Sequence, residues 1–600
     1  MGTEMDNTLT VGFDLETASA DTLYSGAHDG PFVRLFGTIE ERLTRTESAD
    51  HYPPKPFRTS MEVLEGAPRI YGANIFRFDL PALARHHGAD YDALAAKAWD
   101  IQTAERLLDP PMAKHGTPAG YYDLDSIAQR YGVAGKTGDL KGMAKLFGGY
   151  DRIPMDDPHY LHYLRGDLKA TDAVYVEQLR RIESRGLMPY ALREMRVAAI
   201  QARMTLNGWA VDKPLLAVKV AEEDAKRQEA ISILSTRYGV PLTKADGKPS
   251  ASPWATKGGR AALEEAFKAA GAAFVPRTKT GDIAIGKDPM GDGTWIDHEK
   301  KSRPGMLHPD AFGHLAAVRE LCRVITLATG ASMKYAEISR YTTAEGRVHC
   351  GIGEDQASGR WAHTRPSSTN MDKGEERRPL VADPGHMLLT CDLAQLDMRA
   401  LAGLSQDPAY MAMFEYGRDA HSEIADKVFG RHDGDWRHKS KRCGHGWNYG
   451  MSVNGLVNSG VERSVAAQFD LSMNQQFPVL CQWRQGVRDL GGAGHFLDNG
   501  FGRLMRCDAA RAWTQAPALM GQGCARDIMC ESLLRLVTAR PDVTPYLRAV
   551  VHDELILSVP EAGVEEWQRE LWDAFTWVWR GVPILCEVSN PAKSWADCAH

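Results

Sequence analysis

Cysteine is absent until Cys322, and the ten cysteines from there on form no C-x-x-C pair and no zinc-finger spacing. That disfavours a disulfide framework and a structural zinc site, and makes a reducing cytoplasm the expected setting. No apolar run approaches the roughly 18 residues that a membrane helix needs. The start, MGTEMDNTLTV, has neither the basic nor the apolar segment of a secretion signal, and Asp6 stands where a myristoylation pattern wants Ser or Thr. Positive charge is not in excess either: 71 Lys and Arg face 78 Asp and Glu, for a net charge of -7. The balance does not by itself announce a nucleic-acid binder, although a basic cleft can sit inside an acidic shell. Internal repeats, collagen-like stretches and coiled-coil heptads are also missing.

What is present is a long, ordinary globular composition. Six hundred residues, at about 150 per domain, suggest about four structural units. With 43% hydrophobic residues, large cores can be built. From Thr8 to about Arg185, strand-like runs (TVGFDLET, RIYGANIF) alternate with helical stretches, which predicts an α/β module. Helical periodicity from Met188 to about Tyr238 leads into a polar, Gly-, Pro- and Lys-rich stretch from 240 to 310, expected to be loop-rich. Within it Gly281, Gly286, Pro289, Gly291, Gly293, Pro304 and Gly305 break up regular structure, and Lys287, Lys300, Lys301 and Arg303 supply local positive charge. An α+β unit is expected beyond, with a helix from Ala311, hairpin-like strands in RYTTAEGRVHC, a strand MLLTCDL and a strand pair around AVVHDELILSV.

Two sets of carboxylates carry the chemistry. Strand alternation in VGFDLET puts Asp14 and Glu16 on one face, Asp79 ends the run NIFRFD, and Tyr163 and Asp167 share a helical face at i, i+4. In MLLTCDLAQLDMRALAGL, Asp392 stands at a strand end before a helix carrying Asp397 and Arg399, and His552-Asp553-Glu554 reads as a hairpin tip. Between them Arg437, Lys441, His445 and Tyr449 recur every fourth residue as one helical stripe, suited to an anion such as a triphosphate; pairing with Asp433 and Asp435 is the alternative. Several acids around one point need a divalent cation to balance their charge.

In order and spacing, Asp14-x-Glu16, Asn74-x-x-x-x-Asp79 and Tyr163-x-x-x-Asp167 resemble the three motifs of 3′-to-5′ proofreading exonuclease domains attached to DNA polymerases. The resemblance implies that Asp14, Glu16, Asp79 and Asp167 hold two metals and that Tyr163 orients the attacking water. Asp392-x-x-Gln395-x-x-x-Arg399, the stripe Arg437 to Tyr449-Gly450 and His552-Asp553-Glu554 resemble the motifs of family A DNA polymerases, the group of bacterial DNA polymerase I and many phage enzymes. Ser358-Gly359-Arg360 with Pro366 and Asn370, Asp419-x-His421, and Gln522-Gly523-x-Ala525-x-Asp527 add to the match.

What this implies is a multidomain α/β and α+β protein. A ribonuclease-H-like exonuclease domain (1–186) precedes a right-hand polymerase domain (187–600), with a thumb at about 187–335, a palm at about 336–418 and 505–600, and fingers at about 419–504. Asp392 and Asp553 would hold two Mg²⁺, replaceable by Mn²⁺. Lys441 would be a proton donor. Arg437, Lys441, His445, Tyr449, Asp397 and Gln395 would contact the deoxynucleoside triphosphate, and Arg360, Gln522, His552 and Arg399 the primer–template DNA. A monomer in the host cytoplasm is expected, off the membrane, with a phage helicase, primase or processivity factor as further partners. The chain starts directly on the exonuclease motifs, which favours the phage replicative type. Departures are His445 for the usual Phe or Tyr, Asp397 for Glu, Ala394 for Ser, Ser367 and Ala518 where Asn is common, and Gly444 and Gly446 inside the fingers helix. The alternatives are a single-subunit RNA polymerase-like enzyme and a DNA-binding scaffold with inactive sites.

Overall fold

The computed structural model describes residues 10–40, 43–49, 57–112, 117–136, 138–244, 246–299, 301–309, 311–330, 333–354, 356–415 and 418–598. The N-terminal sheet has five strands, β1 (Thr10–Thr17), β2 (Val33–Glu40), β3 (Leu43–Ser48), β4 (Arg69–Gly72) and β5 (Ala98–Asp100), in the order β3-β2-β1-β4-β5. β1 runs antiparallel to β2 and parallel to β4. Val11 and Phe13 are fully buried beneath it. RIYGANIF forms a strand only through Gly72; Asn74 turns left-handed (φ 63°), and helix α1 (Asp79–His87) starts on Asp79 itself.

Helix α2 (Pro158–Ser184) crosses the sheet, with Asp157 capping its first turn through the backbone N–H of His159 and Tyr160 (2.8 and 3.2 Å). Gly37 lies opposite Asp14 in the ladder, and a Cβ there would sit 2.6 Å from Leu168. The missing side chain lets α2 approach on the Asp14 face, which brings Tyr163 and Asp167 over β1.

The chain divides into two compact units, one running through Ala210 and resuming at Thr343, the other Val211–Thr342. The second therefore begins later than the expected 187. Helix α3 (Met188–Asn207) explains the shift: Met195 and Ala198 pack into the N-terminal core, whereas Val197, Ile200 and Met204 pack into the C-terminal one. The second unit is built from α4 (Lys213–Thr236), α5 (Lys257–Ala269) and α6 (Ala316–Thr329) around Leu234, Leu263, Phe267 and Leu321.

The stretch from 240 to 310 is thus more regular than expected. Besides α5 it contains an antiparallel strand pair, Thr294–Ile296 with Ser302–Pro304. Lys301 and Arg303 are not an open positive patch, because they pair with Glu299 (2.7 Å) and Asp297 (2.8 Å); Lys300 lies outside the described residues. RYTTAEGRVHC is not a hairpin either. Arg347–Val348 pairs with Trp209 and Ala210, strands far apart in sequence, which local pattern cannot reveal.

The C-terminal sheet holds β6 (His386–Leu393), β7 (Leu547–Val551), β8 (Glu554–Pro560) and β9 (Cys586–Val588), in the antiparallel order β7-β8-β6-β9. Around it lie α7 (Leu396–Ser405), α8 (Ala420–Phe429), α9 (Trp436–Asn448), α10 (Val453–Asn458) and the long α11 (Ala512–Ala539). Among the described residues the buried hydrophobic side chains fall into four clusters.

A buried ionic cluster joins the two halves of the first unit. Arg526 on α11, 5% exposed, donates to Glu194, Asp527 and Glu354, and Glu354 also pairs with Arg77 at 3.3 Å. Arg193 and Tyr190 complete the shell of Asp527. Among the described residues no helix is long and apolar enough to cross a membrane, and none of the ten cysteines forms a disulfide.

Candidate active sites

The first site lies where β1, α1 and α2 meet. One carboxylate oxygen from each of Asp14, Glu16 and Asp167 falls within 4.8 Å of the other two. Glu16, Asp79 and Asp167 are buried (5%, 2% and 3% exposed), and Asp14 is half-buried. Burial, reinforced by Asp167, Asp79 and Glu16, holds the Asp14 carboxyl well above the usual carboxylate range. Burial and then Asp167 do the same to Glu16. Asp79 is pushed up to about 7, first by burial and next by Asp100.

Lys136 donates to Asp167 Oδ2 (2.6 Å) and to the Tyr163 hydroxyl (2.9 Å), and offsets part of this repulsion. No spacing or periodicity marks that lysine, which sits in a polar segment. Oδ1 of Asp79 and Oδ1 of Asp167 are buried without a hydrogen-bond partner. Crowded acids with orphaned oxygens are the donor set of a divalent cation site, so the residues fit such a group.

The second site lies at the ends of β6 and β8. Asp392 pairs in register with Glu554 on one side and Glu587 on the other, so Asp553, at the turn before β8, comes beside it. Leu393 N–H donates to the Asp553 carbonyl at 3.0 Å and fixes that turn, where His552 is left-handed (φ 58°). The Asp553 carboxyl is pushed up to about 7 by burial, with Asp397 and Asp392 adding and Arg360 opposing. Arg360 lies 3.8 Å from Asp553 and binds Asp397, which also accepts from the Tyr449 hydroxyl. Arg360, Gln522, His552 and Asp553 line one cleft of about 230 Å³, together with Asn370 and Arg526.

Helix α9 carries the basic stripe along one side, with Lys441 and His445 exposed. Arg437 pairs with Asp419 rather than with Asp433 or Asp435; those acids take Arg431 (2.8 Å) and Lys439 (3.5 Å). Gln395, left-handed at φ 54°, also donates to Asp419, at 2.8 Å. The His445 ring meets Tyr449 edge-on at 4.5 Å.

Arg399 departs from its expected place at a DNA surface. It is 2% exposed and donates to the carbonyls of Ala394 (2.9 Å), Phe414 (3.4 Å) and Pro583. It stacks 5.1 Å from the Phe414 ring and is a structural anchor of α7.

The two glycines of α9 have different reasons. A Cβ at Gly444 would meet only Phe469 at an ordinary 3.7 Å, whereas at Gly446 it would lie 2.7 Å from Leu456 and 2.9 Å from Met451. Gly444→Ala is expected to stabilise the protein by up to about 1 kcal/mol through helix propensity. Gly446→Ala must move the fully buried Leu456 of α10 and is expected to destabilise it by about 1 kcal/mol or more. Urea midpoints of the two variants test this; equal shifts would remove the packing argument.

Residues 314–597 match the model of DNA polymerase family A. Over 581 residues the chain is 25% identical to a DNA polymerase of Mycobacterium phage D29, covering 93% of this chain and 88% of that one. A DNA polymerase I of Rhizobium leguminosarum is 23% identical over 602 residues, 93% of this chain and 55% of that one. Among solved structures, the POL domain of Pol1 from M. smegmatis, in complex with DNA primer-template and dNTP, superposes with a TM-score of 0.70 at 19% identity, covering 99% of this chain and 97% of that one. The second set of acids, the basic helix and the cleft all lie inside residues 314–597, the segment that matches the DNA polymerase family A model.

Proposed function

We propose that this protein is a template-directed DNA polymerase that extends a primer with deoxynucleoside triphosphates and edits it with a 3′-to-5′ exonuclease, in the replication of a phage genome. The convergence of Asp392 and Asp553 at one end of the C-terminal sheet, linked through Arg360 and Asp397 to Tyr449 of the basic stripe, carries the polymerase reading. Asp392 and Asp553 would hold the metal ions, which when bound activate the primer hydroxyl and balance the triphosphate charge. Arg437 and Lys441 bind the triphosphate, with Lys441 donating a proton to the departing pyrophosphate. Arg360, Gln522 and His552 present donors to the minor groove, where every base pair offers N3 or O2 acceptors, so they test pair geometry without reading sequence. Tyr449, held by Asp397, closes the pocket against the template base. Primer extension on a labelled hairpin, with and without deoxynucleotides, is the test: growth with them and shortening without them are expected, and growth with ribonucleotides alone would favour the RNA polymerase reading.

The exonuclease reading rests on the acid cluster of β1, α1 and α2, on the mixed five-stranded sheet β3-β2-β1-β4-β5 that carries it, and on a Tyr163 hydroxyl beside Asp167 through Lys136. Asp14, Glu16, Asp79 and Asp167 would hold the metals there, and Tyr163 would orient the water. Because these carboxyls titrate high, the folded chain without metal binds more protons than the unfolded chain. Their contribution to stability is therefore fully present below the ordinary carboxylate range and, for Asp79, is lost as pH rises through about 7. Mg²⁺ should consequently raise the melting temperature more at pH 8 than at pH 5; equal shifts, read by differential scanning fluorimetry against a chelator control, would count against these clusters as metal sites.

The family resemblance implies that His445 sits where a Tyr admits dideoxynucleotides and a Phe excludes them. Its ring N–H supplies a polar contact typically worth about 0.5–1.5 kcal/mol, up to roughly tenfold in kcat/KM. Loss of solvent on its packed side, with Arg360 and Lys441, pushes the imidazole below its ordinary value, against Asp397. Protonation therefore requires more acid than an ordinary imidazole does. The expected result is that the dideoxy-to-deoxy ratio of kcat/KM exceeds that of His445→Phe at neutral pH and that the margin widens under acid conditions; an equal or lower ratio leaves His445 as mere filling.

A further inference from the structure

Arg437 does not present a vacant guanidinium. Its Nε donates to Asp419 Oδ2 at 2.7 Å and its Nη2 to Oδ1 at 3.3 Å, a two-point grip of the kind a guanidinium gives to either a carboxylate or a phosphate. Three further donors converge on that carboxylate: Gln395 Nε2 at 2.8 Å, Ser422 Oγ at 2.6 Å and Ser422 N–H at 3.1 Å. Asp419 is also the cap of α8. One side chain thus joins the turn after β6, which follows Asp392, to the start of α8 and the first turn of α9.

The two partners are unequally dependent on the pair. If Arg437 leaves, Asp419 keeps three donors and stays satisfied; Arg437, once released, needs another anion. With side chains 41% and 32% exposed, the pair is open enough to exchange. Asp419 is held down to about 2 by its neighbours despite partial burial, so it is charged at any working pH.

We propose that Asp419 is the internal counter-anion of the nucleotide site, holding the Arg437 guanidinium while no nucleotide is bound and releasing it to the incoming triphosphate. Asp419 is then a positioning residue that sets nucleotide affinity by competition, and the assignment rests on the polymerase reading above.

Asp419→Asn tests it, because Asn remains a good helix cap but carries no charge. In single-nucleotide insertion on a primer–template, KM for the deoxynucleotide is expected to fall about two- to fivefold, the worth of a partly exposed ion pair. Damage to α8 would instead raise KM or lower kcat. In an Arg437→Ala background the same substitution should leave KM where that background sets it. A KM that is unchanged or higher in Asp419→Asn, or that falls equally without Arg437, overturns the proposal. If the unsubstituted protein extends no primer, the polymerase reading itself falls, which separates the two failures.

Discussion

Asp553→Asn will slow primer extension by at least about 10³-fold, because a metal-held carboxylate contributes several kcal/mol to phosphoryl transfer and each 1.4 kcal/mol is tenfold. The substitution is close to isosteric, and the native carboxyl already titrates near 7 without metal, so Asn imitates a state the fold accepts. Its melting temperature in chelator should therefore match or exceed that of the unsubstituted chain at pH 8, and its 3′-end degradation should persist. Single-turnover extension with saturating deoxynucleotide is the measurement. Extension at near the original rate would remove Asp553 from the reacting centre, whatever the resemblance of the motif.

The complementary result is expected from Asp14→Ala combined with Glu16→Ala. Two of the three carboxylates that approach within 4.8 Å are then gone, and degradation of a labelled single strand should fall by orders of magnitude while extension survives. The loss should not be a folding defect, since removing two crowded acids relieves repulsion in the chain without metal. Persistence of degradation in the doubly substituted protein would place the hydrolytic centre elsewhere.

How much of this was legible beforehand depended on whether the determinants were local. Strand alternation around Asp14, the i, i+4 spacing of Tyr163 and Asp167, and the tight turn at His552-Asp553 are short-range features, and all three have the local structure that their spacing implies. Asp79 was placed after an apolar run but not at a helix start, because the left-handed turn at Asn74 carries no strong sequence signature. Lys136 and the pairing of Arg437 with Asp419 rest on partners 31 and 18 residues away, beyond any periodic reading. Arg399 misled because an arginine beside candidate metal-holding acids looks like a ligand contact, and only the three carbonyls around it show that it is spent on the backbone. The polar stretch from 240 to 310 misled in the opposite sense: few but well-placed apolar residues, Leu263, Phe267, Ile283 and Met290 among them, suffice to anchor its elements.

The cluster around Arg526 makes the chain less modular than its sequence of motifs suggests. Removing one member of a buried ion pair leaves an uncompensated charge and costs about 3–5 kcal/mol, whereas exchanging the whole set for apolar residues of similar volume is often neutral. Arg77 lies two residues from Asp79, Glu194 is on α3, Glu354 precedes Arg360, and Arg526 stands one turn beyond Gln522. A chimera that takes its first 186 residues from a relative lacking a cation at position 77 would strand part of the Glu354 charge in the interior, and the graft would fail at a seam that runs beside both sets of acids.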